Sequence, residues 1–142
     1  MKAPTLNLCL LGLAATLLLP GCESQPQRQP RTTRTFVLSA SRPTPDVEMG
    51  LVSAVRVVLP GPEAGSGLSW EIASNNATVL EQMGPIRVGP LPEAADGKPV
   101  SSVSFYALKP GRSVLRFYLL DPKLSEAVPA ATCELTVRVV DE

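Results

Sequence analysis

Thr132 to Val140 reads TCELTVRVV, and its alternation decides the fold. Cys133, Leu135, Val137 and Val139 fall on one side of an extended chain, with Thr132, Glu134, Thr136 and Arg138 on the other. Successive side chains of a strand point to opposite faces, so this stretch is predicted to bury one face and wet the other. The same period runs upstream. Arg112 to Leu120 sets Leu115, Phe117 and Leu119 on one side, and Val103, Phe105 and Ala107 alternate with Ser102, Ser104 and Tyr106. Lys109, Pro110, Gly111 and Arg112 form a tight turn between those two stretches, which predicts a meander of the last three long strands in one sheet.

Further strands are predicted at Ser53 to Leu59, where Val55, Val57 and Leu59 share a face, and at Ser69 to Ala73, which carries the only tryptophan, Trp70. Thr35 to Ala40, Val47 to Met49 and Ala77 to Glu81 complete the set as shorter flanking strands. No window holds a helical stripe. About seven strands in about 105 residues is the size and spacing of an all-β, immunoglobulin-like antiparallel β-sandwich, with Trp70 in its core.

Composition limits what such a domain does. Thirteen basic residues balance thirteen acidic ones, whereas nucleic acid calls for a dense basic surface. Histidine is absent, which removes Ser/His and Cys/His nucleophilic chemistry and the commonest metal ligand together. Asp121, Glu126, Asp141 and Glu142 form no spaced acid/base or metal constellation, so the chain is read as a non-enzyme with no catalytic residues, metal or cofactor. Cys133 alternates with inward Leu and Val, the setting of an inert small hydrophobe. Asn76-Ala77-Thr78 fits the glycosylation acceptor pattern, a three-residue match that arises readily by chance.

The amino terminus reads as an address. Met1 and Lys2 precede an apolar run, Leu6 to Leu19, closed by Pro20, Gly21 and Cys22. The run fits a secretory signal and is too short to cross a bilayer as a helix, which takes about 20 residues. Leu19-Pro20-Gly21-Cys22 resembles the bacterial lipobox, which implies that residues 1–21 are removed and that Cys22 is lipidated. Residues 22–34 (CESQPQRQPRTTR) hold no aliphatic residue, cannot bury a core and are read as a disordered tether ahead of a domain at 35–142. Glu23 stands where an inner-membrane retention signal has aspartate, so the resemblance favours the outer membrane of the envelope.

Three long loops remain: Pro60 to Leu68, the proline- and glycine-rich Gln82 to Pro99, and Asp121 to Ala131. A strand ending Leu59-Pro60, a Gly-bearing loop, Gly67-Leu68-Ser69-Trp70, Lys109-Pro110-Gly111 and a strand closing in Asp121-Pro122 together resemble the chagasin-type inhibitors of papain-like cysteine proteases. The resemblance runs from about Thr35 to Val140 and implies a sandwich whose three loops plug the protease cleft. The first inhibitory loop, Asn-Pro-Thr-Thr-Gly in that family, falls on Glu63, Ala64, Gly65, Ser66 and Gly67, and only the last glycine and the later Trp70 match. The second falls around Asp96, Gly97 and Lys98. The third, Arg-Pro-Trp in the family, falls on Asp121, Pro122 and Lys123, which keeps the proline and loses the aromatic anchor. The partner so implied is a papain-like cysteine protease. The alternative is a non-inhibitory binding or structural module that meets another envelope protein through its end loops or a strand edge.

Overall fold

A computed structural model describes residues 28–91, 97–124 and 128–141. The proposed signal, Cys22, Asp96, Glu126 and Glu142 lie outside the described residues. Nine strands and no helix make up the regular structure among those described: β1 (Thr32–Val37), β2 (Asp46–Gly50), β3 (Ser53–Pro60), β4 (Ser69–Ser74), β5 (Leu80–Gln82), β6 (Arg87–Gly89), β7 (Val100–Ala107), β8 (Gly111–Leu120) and β9 (Ala131–Val140). One sheet runs β1-β3-β7-β5, with β6 also paired to β7, and the other runs β2-β9-β8-β4.

The alternation read from the sequence is the alternation that packs. Val55, Val57 and Leu59 of β3, Val103 and Phe105 of β7, Leu115 and Phe117 of β8, and Cys133, Leu135, Val137 and Val139 of β9 all enter one core, joined by Trp70. Phe105 and Phe117 meet edge to face across the two sheets, with ring centroids 6.3 Å apart. Burying each such side chain contributes about 1.5–3 kcal/mol, which is why a chain this short can close around a single core. Asn75, Ser113 and the Asn76 backbone form a hydrogen-bonded set near the start of β8, so the buried Ser113 hydroxyl is satisfied.

Several features depart from the sequence reading. The sheets are mixed: β1 runs parallel to β3 and β2 parallel to β9, while the remaining pairs are antiparallel. The predicted meander is not formed. β7 pairs with β3, and β8 pairs with β9 and β4 in the opposite sheet. The Lys109-Pro110-Gly111 corner therefore hands the chain from one sheet to the other. It packs tightly there: Leu108 N–H donates to the Val79 carbonyl at 2.8 Å, and Gly111 sits at φ +150°, where an added Cβ would lie 2.8 Å from Val79 Cγ2.

Two short strands also differ. β1 opens at Thr32, inside the stretch read as tether, and ends at Val37 instead of Ala40. Only Phe36 of β1 packs against the core; Thr32 to Thr35 are exposed along the sheet edge. Ala77 to Val79 is a turn, not a strand: the Asn76 carbonyl accepts from Val79 N–H at 3.0 Å and Leu80 N–H at 2.9 Å, while the Asn76 side-chain oxygen takes the Thr78 hydroxyl at 2.8 Å. Asn76 is thus occupied as a turn builder.

Candidate functional site

Strand register brings the three loops to one end of the sandwich. Pro60, the last residue of β3, pairs with Val100, the first of β7, and Gly89 of β6 pairs with the same Val100. In the other sheet Ser69, the first residue of β4, pairs with Leu120, the last of β8, and Leu119 pairs with Ala131. Loop 1 (61–68) crosses from one sheet to the other at this end. Loop 2 (90–99) returns there to β7, and loop 3 (121–130) joins β8 to β9 there.

Loop 1 presents Glu63, Ala64, Gly65, Ser66 and Gly67, all exposed. It is a folded turn: Ser66 N–H donates to the Glu63 carbonyl at 3.1 Å, and Gly65 and Gly67 take φ of 79° and 70°, a region glycine enters without steric cost. The indole N–H of Trp70 donates to the Pro60 carbonyl at 2.7 Å and closes the loop at its base. The alternation predicts Trp70 in the core, where the residue is 6% exposed, and says nothing of its polar edge tying a loop.

Of loop 2, Gly97 and Lys98 are exposed, and Asp96 lies outside the described residues. Lys98, Pro99, Val100 and Val88 face loop 1 across a groove of about 780 Å³. In loop 3, Asp121 is half-buried and its carboxylate accepts the Lys123 N–H at 2.9 Å, while its carbonyl accepts the Leu124 N–H at 3.1 Å. Pro122 and Lys123 are exposed in that turn. Leu124 and Val128 follow, 61% and 89% exposed. The sequence reading passed over both, because a loop has no periodicity to say which apolar residue stays wet; their neighbourhood to the Asp121-Pro122 turn was the available signal.

Cys133 lies in the core, and burial pushes its thiol up, the opposite of an activated nucleophile. Among the described residues no group of His, Cys, Asp or Glu is gathered as a metal site.

No protein-family profile and no curated protein sequence matches this chain. Solved structures do. The crystal structure of the cysteine protease inhibitor EhICP2 from Entamoeba histolytica superposes with a TM-score of 0.60 at 12% identity, covering 78% of this chain and 99% of that one. The solution structure of amebosin gives 0.53 at 15% identity over 78% and 99%. PbICP-C, solved in complex with falcipain-2, gives 0.47 at 13% identity over 77% and 99%, too loose an overlap to argue from. The described chain is a chagasin-like all-β sandwich. Its fold is the one EhICP2 has, with loops of its own composition at the end where β3, β4, β7 and β8 come together.

Proposed function

We propose that this chain is an envelope lipoprotein that restrains a papain-like cysteine protease by seating its three-loop end in the protease cleft. The convergence of loops 1, 2 and 3 at one end of a chagasin-like sandwich carries the reading. Glu63 to Gly67 would enter the cleft, and the turns at Gly97-Lys98 and Asp121-Pro122-Lys123, with Asp96, would brace it on either side. Loop 1 suits a wedge because the Trp70 indole N–H ties its base to the core through the Pro60 carbonyl.

The geometry at the other end supports an anchored molecule. β1 starts beside Ser53, at the end of β3 away from the loops, and Arg28 just before it reaches Glu81 at 3.5 Å and the Tyr106 ring at 5.7 Å. A chain lipidated at Cys22 after removal of residues 1–21 would therefore reach its domain from the side opposite the loops and leave them facing away from the membrane. Two or more acyl chains hold such a protein stably, and Glu23 favours the outer membrane.

Titration of the full chain, solubilised in detergent, against papain tests the partner: reversible inhibition is expected, and none at micromolar concentration removes the inhibitor in favour of a non-inhibitory envelope module. Labelling with radioactive palmitate that persists in Cys22→Ser removes the anchor.

A further inference from the structure

Two contacts of different kinds meet at the dipeptide Pro60-Gly61. The Pro60 carbonyl accepts the Trp70 indole N–H at 2.7 Å. Its neighbour Gly61 lies against the last residue before β7: a Cβ built there would stand 2.0 Å from the Pro99 carbonyl oxygen and 3.0 Å from the Pro99 carbonyl carbon. The obstacle is backbone, which cannot rotate aside as a side-chain tip does.

Gly61 differs in this from the glycines at the loop tips. Gly65, Gly67 and Gly97 take positive φ and would have nothing within 4 Å of an added Cβ, so they serve chain direction. Gly61 shows no such φ, and its missing side chain serves proximity. Loop 1 and loop 2 approach one another here because this one position is bare. Trp70 fixes the same spot from the other sheet: its ring is wedged in the core and its N–H holds the carbonyl that precedes Gly61.

We infer that Trp70, Pro60, Gly61 and Pro99 form a latch that locks loop 1 to loop 2, which makes Gly61 and Trp70 positioning residues for the loop end. The latch itself follows from the contacts; its consequence for inhibition rests on the function proposed above. Binding loops must be held within about 0.5 Å of their working geometry, and the displacement a Cβ would force at Gly61 exceeds that.

Amide resonances of the full chain in detergent, read together with papain titration, test it. Gly61→Ala should move the amides of Ser66 and Gly67 and, across the gap, of Gly97 and Lys98, while those of Leu135 and Val137 stay in place; papain inhibition should weaken by about tenfold or more. Gly89→Ala, at the same end but with open space for its Cβ, should change neither. Trp70→Phe keeps an aromatic ring and removes the N–H; it should move the same loop 1 and loop 2 amides, and it carries the test if Gly61→Ala does not fold. Loop 2 amides that stay put when loop 1 moves would overturn the latch. Moved loops with unchanged inhibition would overturn the positioning role. A wild-type chain that never inhibits papain would sink the proposed partner and leave the latch to stand or fall on the resonances.

Discussion

Phe105 of β7 and Phe117 of β8 meet edge to face at 63° between ring planes, each almost sealed from solvent, and together they rivet one sheet to the other. No backbone hydrogen bond joins the strands that carry them, since β7 pairs within one sheet and β8 within the other. Packing alone holds the two sheets face to face at this point. Phe117→Ala should therefore cost about 3–5 kcal/mol, and a double-mutant cycle with Phe105→Leu should return a coupling of about 0.5–1.5 kcal/mol for the ring pair. Urea unfolding followed by tryptophan fluorescence measures both. Additive losses would mean the rings are independent.

This handover between sheets is also where the sequence stops short. β3, β7, β8 and β9 are visible as alternating runs because each sends every second side chain into the core, and their bounds shift by at most a few residues in the fold. β6 is not visible: Arg87, Val88 and Gly89 contribute nothing to the core, and only pairing with β7 makes them a strand. β1 is legible in part: Thr35 to Val37 lie in the predicted flanking strand, with Phe36 packed against the core, whereas the exposed Thr32, Thr33 and Arg34 carry no alternation to mark them. Sheet membership is harder still, because a tight turn is equally compatible with a hairpin and with a sandwich corner; long-range pairing of β3 with β7 decides, and no local signal encodes that. The loop end was legible as three candidate loops. Its tie through the Trp70 N–H was not, since alternation says where a ring goes and nothing about its polar edge.

Gly111 tests the corner directly. At φ +150° and with Val79 Cγ2 within 2.8 Å of an added Cβ, Gly111→Ala combines backbone strain with a steric push on a buried side chain. A loss of about 1–3 kcal/mol is expected, and pairing it with Val79→Ala should recover part of that by opening space. The readout is the urea midpoint of the two single variants and the double. No recovery would assign the cost to the dihedral angle alone.

Trp70 carries two separable contributions. Trp70→Ala removes the ring and should cost about 3–5 kcal/mol, whereas Trp70→Phe retains most of the apolar burial and leaves the Pro60 carbonyl without its donor, at about 1–3 kcal/mol. Thermal unfolding of both variants checks the order. Trp70→Ala melting near wild type would contradict the burial of the ring.

Cys133 gives the fold a pH dependence whose sign is fixed by its surroundings. Burial raises the thiol above its ordinary value, so the folded state keeps its proton at a pH where the unfolded chain has begun to lose it. The contribution is intact below the unfolded-state value and is lost as pH rises through the raised folded-state value, because the unfolded chain binds fewer protons over that window. Stability should fall in mildly alkaline buffer, and Cys133→Val, similar in size and without a proton to lose, should flatten that part of the profile. Reaction with a thiol reagent at neutral pH should be slow and should track unfolding. Rapid labelling of the native protein would show the thiol to be accessible.

Among the described residues of loop 3, Leu124 and Val128 are the large apolar side chains left in water, and the turn closed by Asp121 holds the first of them in a set direction. Their exposure gains nothing for the isolated domain. Replacing either by Ser should leave the unfolding free energy within the range of ordinary surface changes, about 0.5 kcal/mol in either direction. At an interface the balance reverses, because an apolar residue presented by an ordered turn costs little to immobilise and contributes its buried area to the contact. Leu124→Ser and Val128→Ser should therefore weaken papain inhibition by about tenfold together, with the loss appearing in the dissociation rate, since neither substitution changes charge. Lys123→Glu, one residue earlier, should act mainly on the association rate and its salt dependence. If the double Ser variant dissociates from papain as slowly as wild type, loop 3 has no apolar part in the proposed interface.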